Sequence, residues 1–270
     1  MARTVIFYIS ITVLNLDAKE LASFYAMGDT PYTIEDQILL VAQLKNLSTN
    51  NTLFAVHLGD IKTGRSKCEE SIYYRVAEYL KTSPLPIFML VGDNEWNDCN
   101  NPETAWDFWT NHFTHFDLHW ENSIPIIRHP VRNEMFAFLY NSVLFVGVTV
   151  VGGKIHDHLE WSQRHEDCSE WINSNIEKYN GKFQRIVILG HAAPSSKHEK
   201  FFNTLSQTAD KIDKPILYLH GDGHKWIQDY PFQSSHIMRI QVDQGGIAPP
   251  LKIKITDNEK IPFSYDRRIR

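Results

Sequence analysis

Five apolar runs in this chain end in a glycine followed by a carboxylate, amide or imidazole side chain. The runs cover 23–27, 53–58, 86–91, 185–189 and 215–219. Their tips are Gly28-Asp29, Gly59-Asp60, Gly92-Asp93-Asn94, Gly190-His191 and Gly221-Asp222-Gly223-His224. Short, rich in β-branched and aromatic residues and bounded by glycine or proline, the runs read as strands covered on both faces. In open α/β sheets ligands lie beyond the carboxyl ends of the strands, so all five polar tips are expected to meet at one sheet edge. Glycine at such turns lets the backbone approach an ion or a phosphate with no Cβ in the way.

Between and after these runs the pattern alternates in period. Thr33 is placed to cap a helix over 34–47 that turns Ile34, Ile38, Val41, Ala42 and the stem of Lys45 to one side. Further helices are expected near 69–81, 104–116 and 159–179. Segments 135–139 and 143–151 read as a hairpin turning at Asn141-Ser142, and 236–242 and 251–255 resume a strand pattern. The whole predicts an α/β fold of two packed mixed sheets flanked by helices. With 270 residues, 43% of them hydrophobic, and no low-complexity tract, residues 23–270 read as a single domain with one sizeable core.

A net charge of −5 argues against a nucleic-acid partner, because neutralising phosphates needs clustered Lys and Arg. The one basic cluster, Arg267-Arg268-Ile269-Arg270, reads as a solvated tail. Near the other end, Arg3 precedes a mostly apolar run over 5–16 that is too short to span a bilayer. Residues 1–22 therefore read as a signal peptide cleaved after Ala18 or Ala22, with a first β-strand as the alternative. Cys68 and Cys99 fall in loops leaving neighbouring strand tips, where a disulfide would brace the site, and Cys168 is left over. Three free thiols in a reducing compartment is the other reading. Together these features point to a secreted or periplasmic protein without a membrane span; oligomeric state has no sequence signal.

Carboxylate, amide and imidazole groups together suit Mn, Zn, Fe or Mg better than Ca, which prefers an all-oxygen cage. Two such ions about 3.5–4 Å apart, bridged by one carboxylate, acidify a shared water and clamp both oxygens of an in-line phosphoryl displacement. The reaction expected is hydrolysis of a small phosphorylated substrate, a mono- or diester, by a metal-bridged hydroxide. The P-loop, dinucleotide-binding, G-x-S-x-G, H-E-x-x-H and C-x-x-C patterns are all missing from the sequence.

In order and spacing the tips resemble the calcineurin-like metallophosphoesterase family, whose pattern runs D-x-H, G-D, G-N-H-[DE], a lone H, then G-H-x-H. Gly28-Asp29-Thr30-Pro31-Tyr32, Gly59-Asp60-Ile61-Lys62, Gly92-Asp93-Asn94-Glu95-Trp96 with Asp98-Cys99, and His220-Gly221-Asp222-Gly223-His224 are similar to a branch of metallophosphatases carrying GDTPY, GDIK, GDNEWxDC and HGDxH. The resemblance spans about 23–256 and implies a four-layer αββα sandwich. It implies that Asp60 bridges two ions, that Asp29 and His224 hold one, and that His191 helps to hold the other. Asp93 aligns with the family's ligand asparagine and Asp222 with the first histidine of its G-H-x-H.

Three departures matter. Pro31 stands where a metal-binding histidine often sits, Asn94 stands in place of the histidine that assists the leaving group, and Asp222 hardens the second ion's surroundings. Two registers stay open: Asp93 as ligand, or Asn94 as ligand with Asp93 behind it. Lacking an acidic proton at Asn94, the site either favours good leaving groups or takes a proton from His57 or Lys62. Lys62 could instead meet a phosphate oxygen or pair with Glu95. The departures also admit a rival from another class, a degenerate family member that serves as a binding or scaffold protein.

Overall fold

The computed structural model describes residues 18–268. Residues 1–17, on which most of the expected signal peptide falls, lie outside the described residues, as do 269–270. The element order is β1 (Glu20–Met27), α1 (Ile34–Lys45), β2 (Ala55–His57), α2 (Glu70–Leu80), β3 (Ile87–Met89), α3 (Pro102–Phe113), β4 (Ile127–Arg128), β5 (Phe136–Tyr140), β6 (Val143–Gly147), α4 (His158–Lys178), β7 (Arg185–Leu189), α5 (Glu199–Ile212), β8 (Ile216–His220), β9 (Ile227–Asp229), β10 (Ile237–Gln241), β11 (Leu251–Thr256) and β12 (Phe263–Asp266).

The strands form a five-stranded sheet, β12-β11-β1-β2-β3, and a seven-stranded sheet, β4-β5-β6-β7-β8-β10-β9. Both are mixed. β1, β2 and β3 are parallel, as are β6, β7, β8 and β10, while β11, β12, β4, β5 and β9 add antiparallel pairs. Period-two alternation assigns the faces. Phe24 and Ala26 of β1 point into the layer between the sheets, and Tyr25 and Met27 point to the opposite face. An aromatic core fills the inter-sheet layer: the Phe54 ring lies 4.9 Å from Phe24, 5.1 Å from Phe88, 5.6 Å from Phe138 and 5.4 Å from Phe145. Helices α1, α2 and α3 cover the outer face of the smaller sheet, and α4 and α5 that of the larger. The result is the four-layer αββα arrangement.

The hairpin of β5 and β6 turns through Asn141 and Ser142, both with positive φ, as a two-residue turn matched to strand twist requires. Thr33 caps α1 reciprocally with Asp36. The face of α1 is not the expected one: Ile34 and Ile38 are 70% and 69% exposed, and Leu40 and Leu44 are buried instead. Two apolar stripes compete on this helix, and docking selects the one that continues to buried Leu47. The amphipathic α5 and the short strands β4, β9 and β12 add to the pattern read from the sequence. Strand β1 begins at Glu20 rather than at Ser23, so cleavage after Ala22 would remove the rungs Glu20 and Ala22 make with Thr256 and Ile255. Cleavage after Ala18 would leave the strand whole. The basic cluster is not a free tail where it is described. Arg267 forks onto Asp243 at 2.8 Å, and Arg268 donates to Pro250 O at 2.9 Å while lying over the Tyr25 ring.

Cys68 and Cys99 form a disulfide with their Cα atoms 6.0 Å apart, and Cys168 is a buried free thiol. No helix among the described residues is long and apolar enough to cross a membrane.

Beneath α4 and α5, His198 Nδ1 lies 3.1 Å from His165 Nε2, and the Trp161 ring stacks on His198. Burial, then the facing His165 and Arg164, lower His198 to about 3; burial, then Arg164, lower His165 to about 4, with Glu160 opposing. Both rings stay neutral in the fold, whereas the unfolded chain takes up their protons near pH 6.5. Their contribution is complete above about pH 6.5 and is lost as pH falls toward 4, by about 1.4 kcal/mol per ring for each pH unit. The thermal unfolding midpoint of the wild type should therefore fall more between pH 7 and pH 5 than that of His198→Gln. Parallel pH profiles would refute this.

Candidate metal centre

The carboxyl ends of β1, β2 and β3 carry Asp29, Asp60 and Asp93, and those of β7 and β8 carry His191, Asp222 and His224. The smaller sheet thus supplies carboxylates, and the larger sheet supplies both imidazoles. Asp29, Asp60, Asp222 and His224 all have φ between 56° and 68°, a left-handed conformation costing about 1–2 kcal/mol for a side chain with a Cβ. Backbone strain gathered at one point is what a functional site retains. Two crossing bonds hold the first tips together, Asp29 N–H to Gly59 O at 3.0 Å and Thr30 N–H to Asp60 O at 2.9 Å.

Two sets of donors converge. Asp29, Asp60 and His224 form one, and Asp60, Asp93 and His191 the other; within each set one donor atom per residue lies within 4.8 Å of the rest. Asp60 belongs to both. His224 Nε2 is 3.2 Å from Asp29 Oδ1, and His191 Nε2 is 3.0 Å from Asp93 Oδ1 and 3.4 Å from Asp60 Oδ1. His191 Nδ1 meets Leu58 O at 2.7 Å, which turns Nε2 toward the carboxylates. Asp29, Asp60, Asp93 and His191 are buried, whereas the His224 side chain is 45% exposed, so the cleft opens on its side.

Burial, with the like charges of Asp93, Glu95 and Asp29, pushes the Asp60 carboxyl well above its ordinary range against the pull of His191. Burial opposes the ionised form of Asp93 as well, but its bond to His191 holds it below the usual value. His191 is raised well above its ordinary value by Asp60 and Asp93 although burial works against the charge. Such a cluster calls for positive charge, and its oxygen and nitrogen donors fit a divalent cation. The cradle is built for close approach. Gly59 has φ of 94°, and a Cβ there would lie 2.7 Å from His191 Nδ1; a Cβ at Gly92 would collide with the Asp60 carboxylate.

Asp222 falls outside both sets. Its backbone N–H donates to Asp29 Oδ2 at 3.1 Å and its Oδ2 accepts from Ala193 N–H at 3.1 Å, so it orients its neighbours. Asn94 points its amide at Asp60 Oδ2, and its backbone N–H donates to Asp60 Oδ1 at 3.1 Å. The two expected proton donors both bond to backbone groups. His57 is fully buried, with Nε2 on Thr30 O at 2.9 Å and Nδ1 accepting from Gly59 N–H, and burial lowers it to about 4. Lys62 donates its ammonium to Asn94 O at 2.6 Å and Thr63 O at 3.0 Å, tying two loops together, and makes no direct bond to Glu95.

Two residues were missed. Glu95, fully buried, accepts Gly92 N–H at 2.6 Å, Asp60 N–H at 3.1 Å and Ile61 N–H at 3.3 Å, locking the tips of β2 and β3 together. Tyr32 places its hydroxyl 3.1 Å from Asp60 Oδ2, 3.3 Å from His224 Nε2, 3.4 Å from Asn94 Nδ2 and 3.5 Å from Asp29 Oδ1. Both stood inside the motifs, but neither has a periodic or spacing signal of its own.

No family model matches the sequence, and neither does any curated protein. Solved structures do match. GAP50 of Plasmodium, described as the anchor in the inner membrane complex, superimposes with a TM-score of 0.56 at 11% identity over 92% of this chain and 89% of its own. A 5'-nucleotidase from Candida albicans gives 0.53 at 16% identity over 92% of this chain and 51% of its own, so this chain spans about half of that enzyme. The fold is the calcineurin-like αββα sandwich. TT1561 of Thermus thermophilus follows with a TM-score of 0.49 at 9% identity over 92% and 99% of the two chains. At these identities the likeness is one of fold.

Proposed function

We propose that this protein is a metal-dependent phosphoesterase that hydrolyses a small phosphate mono- or diester above Asp29, Asp60, Asp93, His191 and His224. The observation that carries the reading is Asp60, whose carboxylate belongs to both donor sets. Asp29, Asp60 and His224 would hold one divalent ion and Asp60, Asp93 and His191 a second, with Mn, Zn, Fe or Mg all compatible with these donors. Such ions supply an acidified water and positive charge for in-line displacement at phosphorus. The chain's own residues position that chemistry. Asp93 is the ligand in preference to Asn94, since its carboxylate meets His191 while the Asn94 amide steadies Asp60. Glu95 fixes the spacing of the two carboxylate loops, and Asp222 aims Asp29.

With His57 and Lys62 committed to backbone carbonyls, no acid from the expected pair protonates the departing oxygen. Aryl phosphates should therefore turn over about 10²-fold or more faster than alkyl phosphates of similar size, the span general acid catalysis commonly supplies. Equal rates on the two classes would contradict this. The function itself is tested with metal-stripped protein given Mn²⁺, Zn²⁺, Fe²⁺ or Mg²⁺ in turn and assayed on aryl phosphomonoesters and diesters. Turnover that appears with an ion and vanishes with chelator supports it.

Asn94 favours a second reading, a binding protein without turnover, and the likeness to a protein described as an anchor is compatible with it. Bound ions without hydrolysis of any ester would select that reading. A disulfide beside the site supports an oxidising, secreted or periplasmic setting for either.

A further inference from the structure

Tyr32 stands at the cleft without a part in the chemistry above. Its backbone N–H donates to Asp36 Oδ2, the carboxylate that also completes the N-terminal cap of α1, so the helix end fixes where the ring points. The ring packs edge-on to His224 with centroids 5.6 Å apart. Its hydroxyl lies 3.1–3.5 Å from both carboxylates and the imidazole of the first donor set and from the Asn94 amide. A phenol has one proton to give, so it satisfies only one of the two carboxylates it faces. An ion among these groups removes the conflict, because the phenol then releases its proton to solvent and the phenolate oxygen faces the cation.

We propose that Tyr32 Oη is a direct ligand of the ion held by Asp29, Asp60 and His224. It adds a fourth protein donor where Pro31 provides none. The set becomes three oxygens and one nitrogen, which tilts it toward the harder ions Mn and Fe relative to Zn. This rests on the two-ion reading.

The test uses the metal-stripped chain and its Tyr32→Phe variant, which keeps the ring and so should keep the metal-free unfolding midpoint. Each is titrated with Zn²⁺ alone, which has no absorption of its own, following bound ion per chain, affinity by calorimetry and the near-ultraviolet difference band of metal-bound tyrosine. The wild type should bind two ions and show the band. The variant should lose the band and bind one of its two ions about 10–100-fold more weakly, as should His224→Ala. A wild type that takes two ions without the band, or a variant with unchanged affinities, overturns the role of Tyr32 and leaves the two-ion reading standing. A wild type that binds no ion overturns both.

Discussion

Asp60→Asn should lower ion-dependent ester hydrolysis by about 10²–10³-fold, the scale on which loss of a single preorganised charge-stabilising group acts. The change is nearly isosteric, so its effect is chemical. Asp60 is the residue shared by the two donor sets, and its oxygens already accept from Asn94 N–H and Tyr32 Oη at 3.1 Å each. An amide keeps one acceptor and gives up the negative charge, weakening the hold on both ions together. The substitution should leave the fold standing, because Glu95 grips residue 60 through its backbone N–H. In chelator, variant and wild type should unfold at similar temperatures. At ion concentrations near 100 times the dissociation constant the wild type should gain about 2.7 kcal/mol for each bound ion, and the variant should not. A variant with wild-type turnover and wild-type ion stabilisation would remove the bridging role from Asp60.

Replacing both disulfide cysteines, Cys68→Ser with Cys99→Ser, should lower the unfolding free energy by roughly 3–4 kcal/mol, the chain-entropy value for a loop of this size. The bond spans 31 positions and ties the segment between β2 and α2 to the segment between β3 and α3. Its effect should extend to activity. Both sulfurs rest against Asn94 O, at 3.7 Å and 3.6 Å, and Lys62 Nζ holds the same carbonyl at 2.6 Å. Loosening that junction frees Asn94, whose amide steadies Asp60. Denaturant unfolding of the double variant against the wild type measures the stability term, and an unchanged midpoint would rule it out. Cys168 offers no substitute: burial raises its thiol to about 12, so it should resist alkylation until the protein unfolds.

The parts of the site legible in the sequence were those with a backbone reason to be where they are. A glycine and then a carboxylate or imidazole after a short apolar run marks a strand tip. Asp29, Asp60, Asp93, His191 and His224 were found in this way, and they meet. Residues whose role depends on side-chain direction were harder to place. His57 and Lys62 lie beside the right tips in sequence, yet one turns into the core and the other back onto a neighbouring carbonyl. Asp222 sits between two tip glycines, with its backbone N–H on Asp29 and its carboxylate on Ala193 N–H. Tyr32 reaches the cleft because a helix cap four residues on sets its direction, a tertiary fact with no period. The same limit explains α1, where Ile34 and Ile38 repeat with the spacing of Leu40 and Leu44, and only docking onto the sheet decides between them.

Carboxylates from one sheet and imidazoles from the other face each other across the seam between the two halves of the sandwich. A cation seated there acts as a rivet: neither half alone can grip it, and once it is gripped the halves cannot part without surrendering it. Ion uptake by a refolding chain would thus mark the moment at which the two layers have closed on each other, and slow dissociation of the ion would keep them closed.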